Sequence, residues 1–172
     1  TDLDKVVIQL NSENNNDAVT GFIDDFYYGL AQIPESAPIV RDGFEGFGTI
    51  PAWVGDAAGA NTSFANPFIN SDNNSLTVLE YTDTGGQYAN VNFTVTEKFN
   101  LVNKNVFSIM IYVPSTSISG NQNNQVSLKL QNSGLGGNSW QTQTEIIKDI
   151  VLGQWQTITF DFVNDNWINL NN

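Results

Sequence analysis

Along most of the chain hydrophobic and polar residues alternate with a period of two, and no stretch keeps an apolar helical period for ten residues or more. The alternating runs are "KVVIQL" (5–10), "GFIDDFYYG" (21–29), "SLTVLEYT" (75–82), "QYANVNFTV" (87–95), "NVFSIMIYV" (105–113), "NQVSLKLQN" (124–132), "WQTQTEIIKDI" (140–150) and "QWQTITFDF" (154–162). "VRDGFEGFG" (40–48) adds a short strand and turn. Clusters of Gly, Asn, Asp and Ser separate the runs, so the pattern predicts an all-β fold: a two-sheet antiparallel β-sandwich of the jelly-roll kind. Its length suits one domain, 1–172.

Three stretches break the alternation. "LAQIPESAP" (30–38), with two prolines, reads as a linker. Residues 49–72, rich in Gly and Asn and containing Trp53, read as a long irregular loop, a kind of segment that usually carries function or a metal. The terminal "VNDNWINLNN" shows no convincing strand.

Parity sorts the faces of each strand. Ala89, Val91, Phe93 and Val95 point inward, leaving Tyr88, Asn90 and Asn92 outward; Phe107, Ile109 and Ile111 point inward, leaving Met110 and Tyr112 outward. Val126, Leu128 and Leu130 point inward, leaving Lys129 and Gln131 outward. The outward sets combine amides, hydroxyls, one ammonium and aromatic rings. Sugar rings present apolar C–H faces that stack on aromatics and hydroxyls that bond to amides. Tyr88 and Tyr112 are therefore candidate stacking platforms on a concave sheet, Asn90, Asn92, Lys129 and Gln131 candidate hydroxyl readers, and Trp53 and Trp140 candidate walls. The alternative is plain: any antiparallel sheet turns a polar face to water, and a tyrosine on it often only pairs across strands.

Charge and composition narrow the chemistry. Six Lys and Arg stand against eighteen Asp and Glu, a net charge of -12, which leaves no basic patch for nucleic acid or an anionic membrane and makes an uncharged ligand the simpler expectation. No apolar run is long enough to span a membrane. No cysteine and no histidine is present, which removes thiol chemistry, the Ser-His-Asp arrangement and the commonest zinc ligand. Glu80, Glu97 and Glu145 fall on separate stretches with no second carboxylate at close spacing, so a glycosidase pair is not supplied and a non-catalytic role is expected. A chain opening "TDLDK" shows no signal peptide and reads as a trimmed piece of a longer protein.

Residues 42 onward resemble a calcium-containing β-sandwich carbohydrate-binding module of the kind attached to secreted glycoside hydrolases and surface glycan-binding proteins of marine Bacteroidetes. The likeness rests on "DGFEG", "NPFINSDNNSLTVLEY", "GQYANVNFTV", "FSIMIYVP", "VSLKLQN" and "GQWQTITFDF". In such modules the final two strands resemble "DKVVIQLN" and "GFIDDFYY", which here stand at residues 4–11 and 21–28. The resemblance implies a circular permutation, with 1–29 supplying the family's last strands, 30–38 linking across the junction and 39–172 forming the rest; the competing accounts are two half-domains, 1–30 and 38–172, and strand donation between chains. It also implies binding of a neutral polysaccharide, a β-glucan such as laminarin first, within a secreted or cell-surface multidomain protein. The rival expectation is a calcium-stabilised adhesin repeat that binds no glycan.

Parity set by Phe22 and Phe26 turns Asp24 inward with them, and a core-facing carboxylate needs a cation or several donors. Asp42 and Glu45 of "DGFEG" add hard oxygen ligands suited to Ca²⁺. The resemblance assigns a structural calcium to Asp24 and Glu45, with Asp42 and Asp161 as weaker candidates. Read without it, these acids simply face water.

Overall fold

A computed structural model describes residues 2–10, 16–29 and 40–169 of the chain. The expected linker 30–38 lies outside the described residues. The fold is the expected all-β sandwich of two antiparallel sheets. The first sheet comprises β12 (Ile168–Asn169), β10 (Thr144–Asp149), β9 (Gln125–Gln131), β1 (Lys5–Leu10), β7 (Asn90–Thr94) and β4 (Val54–Asp56), in that order. The second comprises β11 (Gln156–Asp161), β8 (Val106–Tyr112), β2 (Val19–Gly29), β6 (Thr77–Asp83) and β5 (Ala58–Ala65), with β3 (Val40–Asp42) paired to the far end of β2.

The first two strands do not pair with each other. β1 lies between β9 and β7, and β2 between β8 and β6, so each is an interior strand of a different sheet. Their inward faces meet across the core, which they share with Leu79, Tyr81, Val91, Phe93, Phe107, Ile109, Ile111, Leu128, Leu130 and Phe160. The sheets approach so closely at Gly21 that a Cβ there would lie 2.5 Å from Leu10 Cδ1. Tyr81 is fully buried and donates its hydroxyl to Ala89 O at 2.9 Å, so its polar end is satisfied.

Three sequence expectations need correction. Residues 49–72 hold two strands, β4 and β5, on the open edges of the two sheets. Their inward positions are small (Ala58 and Ala60 in "AGANTSFA") and their outward ones Gly, Asn and Ser, so no row of large apolar groups marks a strand. Ala57, at φ 52°, makes the corner by which the chain passes from one sheet to the other. The "WQTQTEIIKDI" run begins as a 3₁₀ segment (Ser133–Thr142) and becomes strand only at Thr144, while the tail contributes the two-residue β12.

The third correction concerns β2. The pairing of β2 with β8 slips between Asp24 and Tyr27, where Asp25 takes φ 45°. This bulge inserts a residue and reverses the parity of everything beyond it. Ile23, Phe26 and Tyr28 therefore enter the main core, while Phe22 belongs to a separate cluster with Val78 and Trp155 on the outer face of the second sheet. Asp24 shares that outer side. It is buried because segment 66–76 lies over it, not because it faces the core, as the bond from Asn73 Nδ2 to Asp24 Oδ2 at 2.8 Å records.

Candidate functional site

On the outer face of the first sheet the outward positions line up across strands. One row runs Glu145, Lys129, Val7, Asn92 and Val54; the next holds Gln131, Lys5 and Thr94. This face forms the floor of a groove of about 580 Å³, lined by Lys5, Val7, Asn90, Lys129, Gln131 and Gln143, among others. Gly136, Gly137, Ser139 and Trp140 of the 3₁₀ segment line it on one side and Tyr88 and Asp56 on the other.

Both walls are held by local chemistry. Asp4, just before β1, accepts from Ser133 N at 2.7 Å and from Ser133 Oγ at 2.9 Å, tying the start of the 3₁₀ segment to the sheet. Asn132 caps that segment by accepting from Gly134 N at 2.9 Å, and Thr142 Oγ1 accepts from Asn132 N at 2.8 Å, closing the arch. Inside it Gly136 sits at φ 55°, ψ -127°, a conformation that requires glycine, and the turn it makes projects Trp140 with 55% of its surface exposed. Opposite, Tyr88 is 50% exposed and adopts φ 61°, an uncommon state for an aromatic residue. An amide ladder braces it: Asn90 Nδ2 donates to Tyr88 O at 2.9 Å and Asn92 Nδ2 to Asn90 Oδ1 at 3.0 Å.

The floor is polar, and Lys129, Gln131, Gln143 and Glu145 in it are buried. Gln131 Nε2 donates to Gln143 Oε1 at 3.0 Å, and Gln143 Nε2 to Glu145 Oε2 at 3.4 Å. Lys129 Nζ lies 3.8 Å from Glu145 Oε1 and donates to Gln9 Oε1 at 2.6 Å. A connected network of this kind fixes its own geometry, because breaking any member leaves a buried polar group unpaired. In charge, Lys5 and Lys129 are balanced by Asp56 and Glu145, so the groove is close to neutral in a chain of net charge -12.

Of the residues singled out in the sequence, Tyr88, Asn90, Lys129, Gln131 and Trp140 line this one groove, and Asn92 stands behind Asn90. Lys129 and Gln131 are not the open hydroxyl readers expected, since both are buried and engaged internally. Two other positions lie elsewhere. Tyr112 is on β8, in the opposite sheet, stacked on Phe68 with ring centroids 4.0 Å apart and planes at 14°, so it cannot share a platform with Tyr88. Trp53 turns toward the core, packing on Phe26, Phe44 and Phe93 and donating Nε1 to Asp42 Oδ2 at 3.0 Å.

Sequence reading missed Lys5, Val7, Gln143 and Asp56. The first three share outward parity with residues it did use, and "KVVIQL" and "TQTEI" carry that signal. Asp56 was hidden with β4 in the supposed loop.

The acidic residues gather around the bulge end of the second sheet. Asp24 Oδ1 accepts from Asp25 N, and burial raises its pKa even though bonds from Ser75, Asn73 and the Asp25 amide oppose this; repulsion from Asp25 adds to the rise. Burial raises Asp25 as well. Glu45 Oε1 accepts from Leu76 N at 2.7 Å and Thr77 N at 2.9 Å, and Asp42 Oδ1 from Phe44 N at 3.0 Å. Asp24 and Glu45 thus converge on one segment, 73–77, each accepting hydrogen bonds from its N–H groups. No three His, Cys, Asp or Glu residues among those described form a metal-holding group. Asp161 is apart, bound by Asn164, the Val163 amide and Asn105 in the turn after β11.

No protein-family model, curated protein or solved structure matches the chain. Among the described residues no helix is long and apolar enough to cross a membrane.

Proposed function

We propose that this domain is a non-catalytic carbohydrate-binding module that holds a neutral polysaccharide, a β-glucan such as laminarin first, in the groove on the outer face of the first sheet. The observation that carries the reading is the pair of half-exposed rings, Trp140 and Tyr88, lining one groove with a floor of fixed amides. Each ring offers a face to pyranose C–H groups, and the Asn90 amide offers a donor and an acceptor to hydroxyls. The near-cancellation of charge in the groove favours an uncharged chain over an acidic one. The resemblance to calcium-containing modules, their permuted strand order, a structural Ca²⁺ and a secreted or cell-surface setting within a larger protein belong to the same proposal. The interior placement of β1 and β2 and the convergence of Asp24 and Glu45 on segment 73–77 support it.

The test is affinity electrophoresis against laminarin, mixed-linkage glucan, xylan, agarose and alginate, with tryptophan fluorescence followed in parallel. Retardation by a neutral glycan, without release of reducing ends, is the expected result. Release of reducing ends would make the protein an enzyme. No retardation by any of them would favour the adhesin-repeat reading, to which the internal pairing of Lys129 and Gln131 already lends weight. For the cation, a chelator is expected to lower the melting temperature of the wild type and to leave Glu45→Gln unmoved; an unmoved wild type would remove calcium from the proposal.

A further inference from the structure

Three side chains from three adjacent strands meet beneath the groove: Gln9 on β1, Lys129 on β9 and Glu145 on β10. Gln9 and Lys129 are each 3% exposed and Glu145 is 7% exposed. Lysine and glutamate are seldom so deeply buried, and a salt bridge at this depth returns little stability against its desolvation cost. The glycan reading does not use it either, since the ammonium is spent on Gln9 rather than on the groove. What the arrangement does provide is a nucleophile, an electrophile and a proton carrier in fixed contact. The amine nitrogen lies 2.6 Å from the amide oxygen of Gln9, with the carbonyl carbon one bond further on, and a carboxylate oxygen lies 3.8 Å from the same nitrogen.

We propose that Lys129 and Gln9 are the two ends of an intramolecular amide cross-link that forms by self-reaction in the folded domain, with Glu145 as the proton carrier. Glu145 takes a proton from the Lys129 ammonium, leaving a neutral amine in a site with little water. The amine attacks Cδ of Gln9, forming the Nζ–Cδ bond. Glu145 passes its proton to Nε2, the Cδ–Nε2 bond breaks, and ammonia departs carrying the second proton lost by the amine as ammonium. One C–N bond forms and one breaks, no electrons change hands and Glu145 ends as it began. Holding both reactants in the folded sheet supplies the effective concentration that uncatalysed amide exchange lacks. The product would bolt β1 to β9, fastening an interior strand of the first sheet to its neighbour.

The test needs no glycan and so stands apart from the binding reading. Intact-mass measurement of the denatured full-length protein is expected to show a species lighter than the sequence by one ammonia. Peptide mapping should find the segment containing Gln9 joined to the one containing Lys129. Lys129→Arg and Glu145→Gln, each checked for a folded sandwich by circular dichroism, should return to the full sequence mass. A wild type at the full sequence mass, or a deficit that persists in Lys129→Arg, overturns the cross-link, and both outcomes can be read even if Glu145→Gln fails to fold.

Discussion

The two outer faces of the sandwich carry the same alternation and yet behave in opposite ways. On the first sheet the outward residues are amides and charged groups left beside a groove, with Tyr88 and Trp140 half-exposed at its sides. On the second they are Phe22, Val78, Met110 and Tyr112, covered by Phe64, Phe68 and Trp155, with Trp155 Nε1 pinned to Phe68 O at 2.9 Å. An outward tyrosine is thus a candidate platform on one face and a piece of a second small core on the other. Parity assigns a side of the sheet; what lies over that side decides whether the residue meets water.

That contrast can be broken most severely at Trp155. Trp155→Ala should cost about 3–5 kcal/mol of stability, visible as a large fall in melting temperature, with glycan affinity per folded molecule unchanged. Tyr112→Ala should follow at about 2 kcal/mol, from lost burial and lost stacking on Phe68, again with unaltered binding. Tyr88→Ala and Trp140→Ala should do the reverse: a loss of about tenfold or more in affinity, about 1.4 kcal/mol, and a stability change within about 0.5 kcal/mol. Calorimetric titration and thermal melts on the same four variants decide it. Binding lost in Tyr112→Ala and kept in Tyr88→Ala would exchange the roles of the two faces.

The smallest effect is at the edge joining the sheets, where the turn after Asp161 carries the chain from β11 to β12. Burial would raise the pKa of Asp161, but bonds from the Asn164 side chain, the Val163 amide, Asn105 and the Asn164 amide hold it below the ordinary carboxylate value. A depressed folded-state value means that the stabilisation is present above the ordinary carboxylate pKa and is lost as pH falls through the lowered one. Asp161→Asn should flatten that acid limb in urea titrations across pH and leave both faces as they are; an unchanged limb would show that other carboxylates govern it.

Much of this architecture is legible in the sequence because large apolar residues mark it. β1, β6, β7, β8, β9 and β11 are announced by Val, Ile, Leu and Phe at alternate positions. β4 and β5 are not, because edge strands bury little and can alternate with alanine and serine. The bulge at Asp25 is also silent: Phe22 and Phe26 keep the spacing of a single face, and only the positive φ of the residue between them shows that they belong to two. For the groove, composition and parity indicate Tyr88, Asn90 and Gln131, while Tyr112 is misplaced because parity within a strand does not say to which sheet the strand belongs. Trp53 is misplaced for a different reason, since it stands just before an unrecognised strand.

The interior position of β1 also shapes how the domain must assemble. Its partners, β7 and β9, lie some eighty-five and one hundred and twenty residues further along the chain, so neither neighbour has left the ribosome when "KVVIQL" does. Folding of such a topology waits on distant contacts and runs on the slow, millisecond-to-second scale of β-sandwiches. During that interval a bare apolar strand is exposed to solvent, and it is the stretch of this protein on which a chaperone has most reason to act.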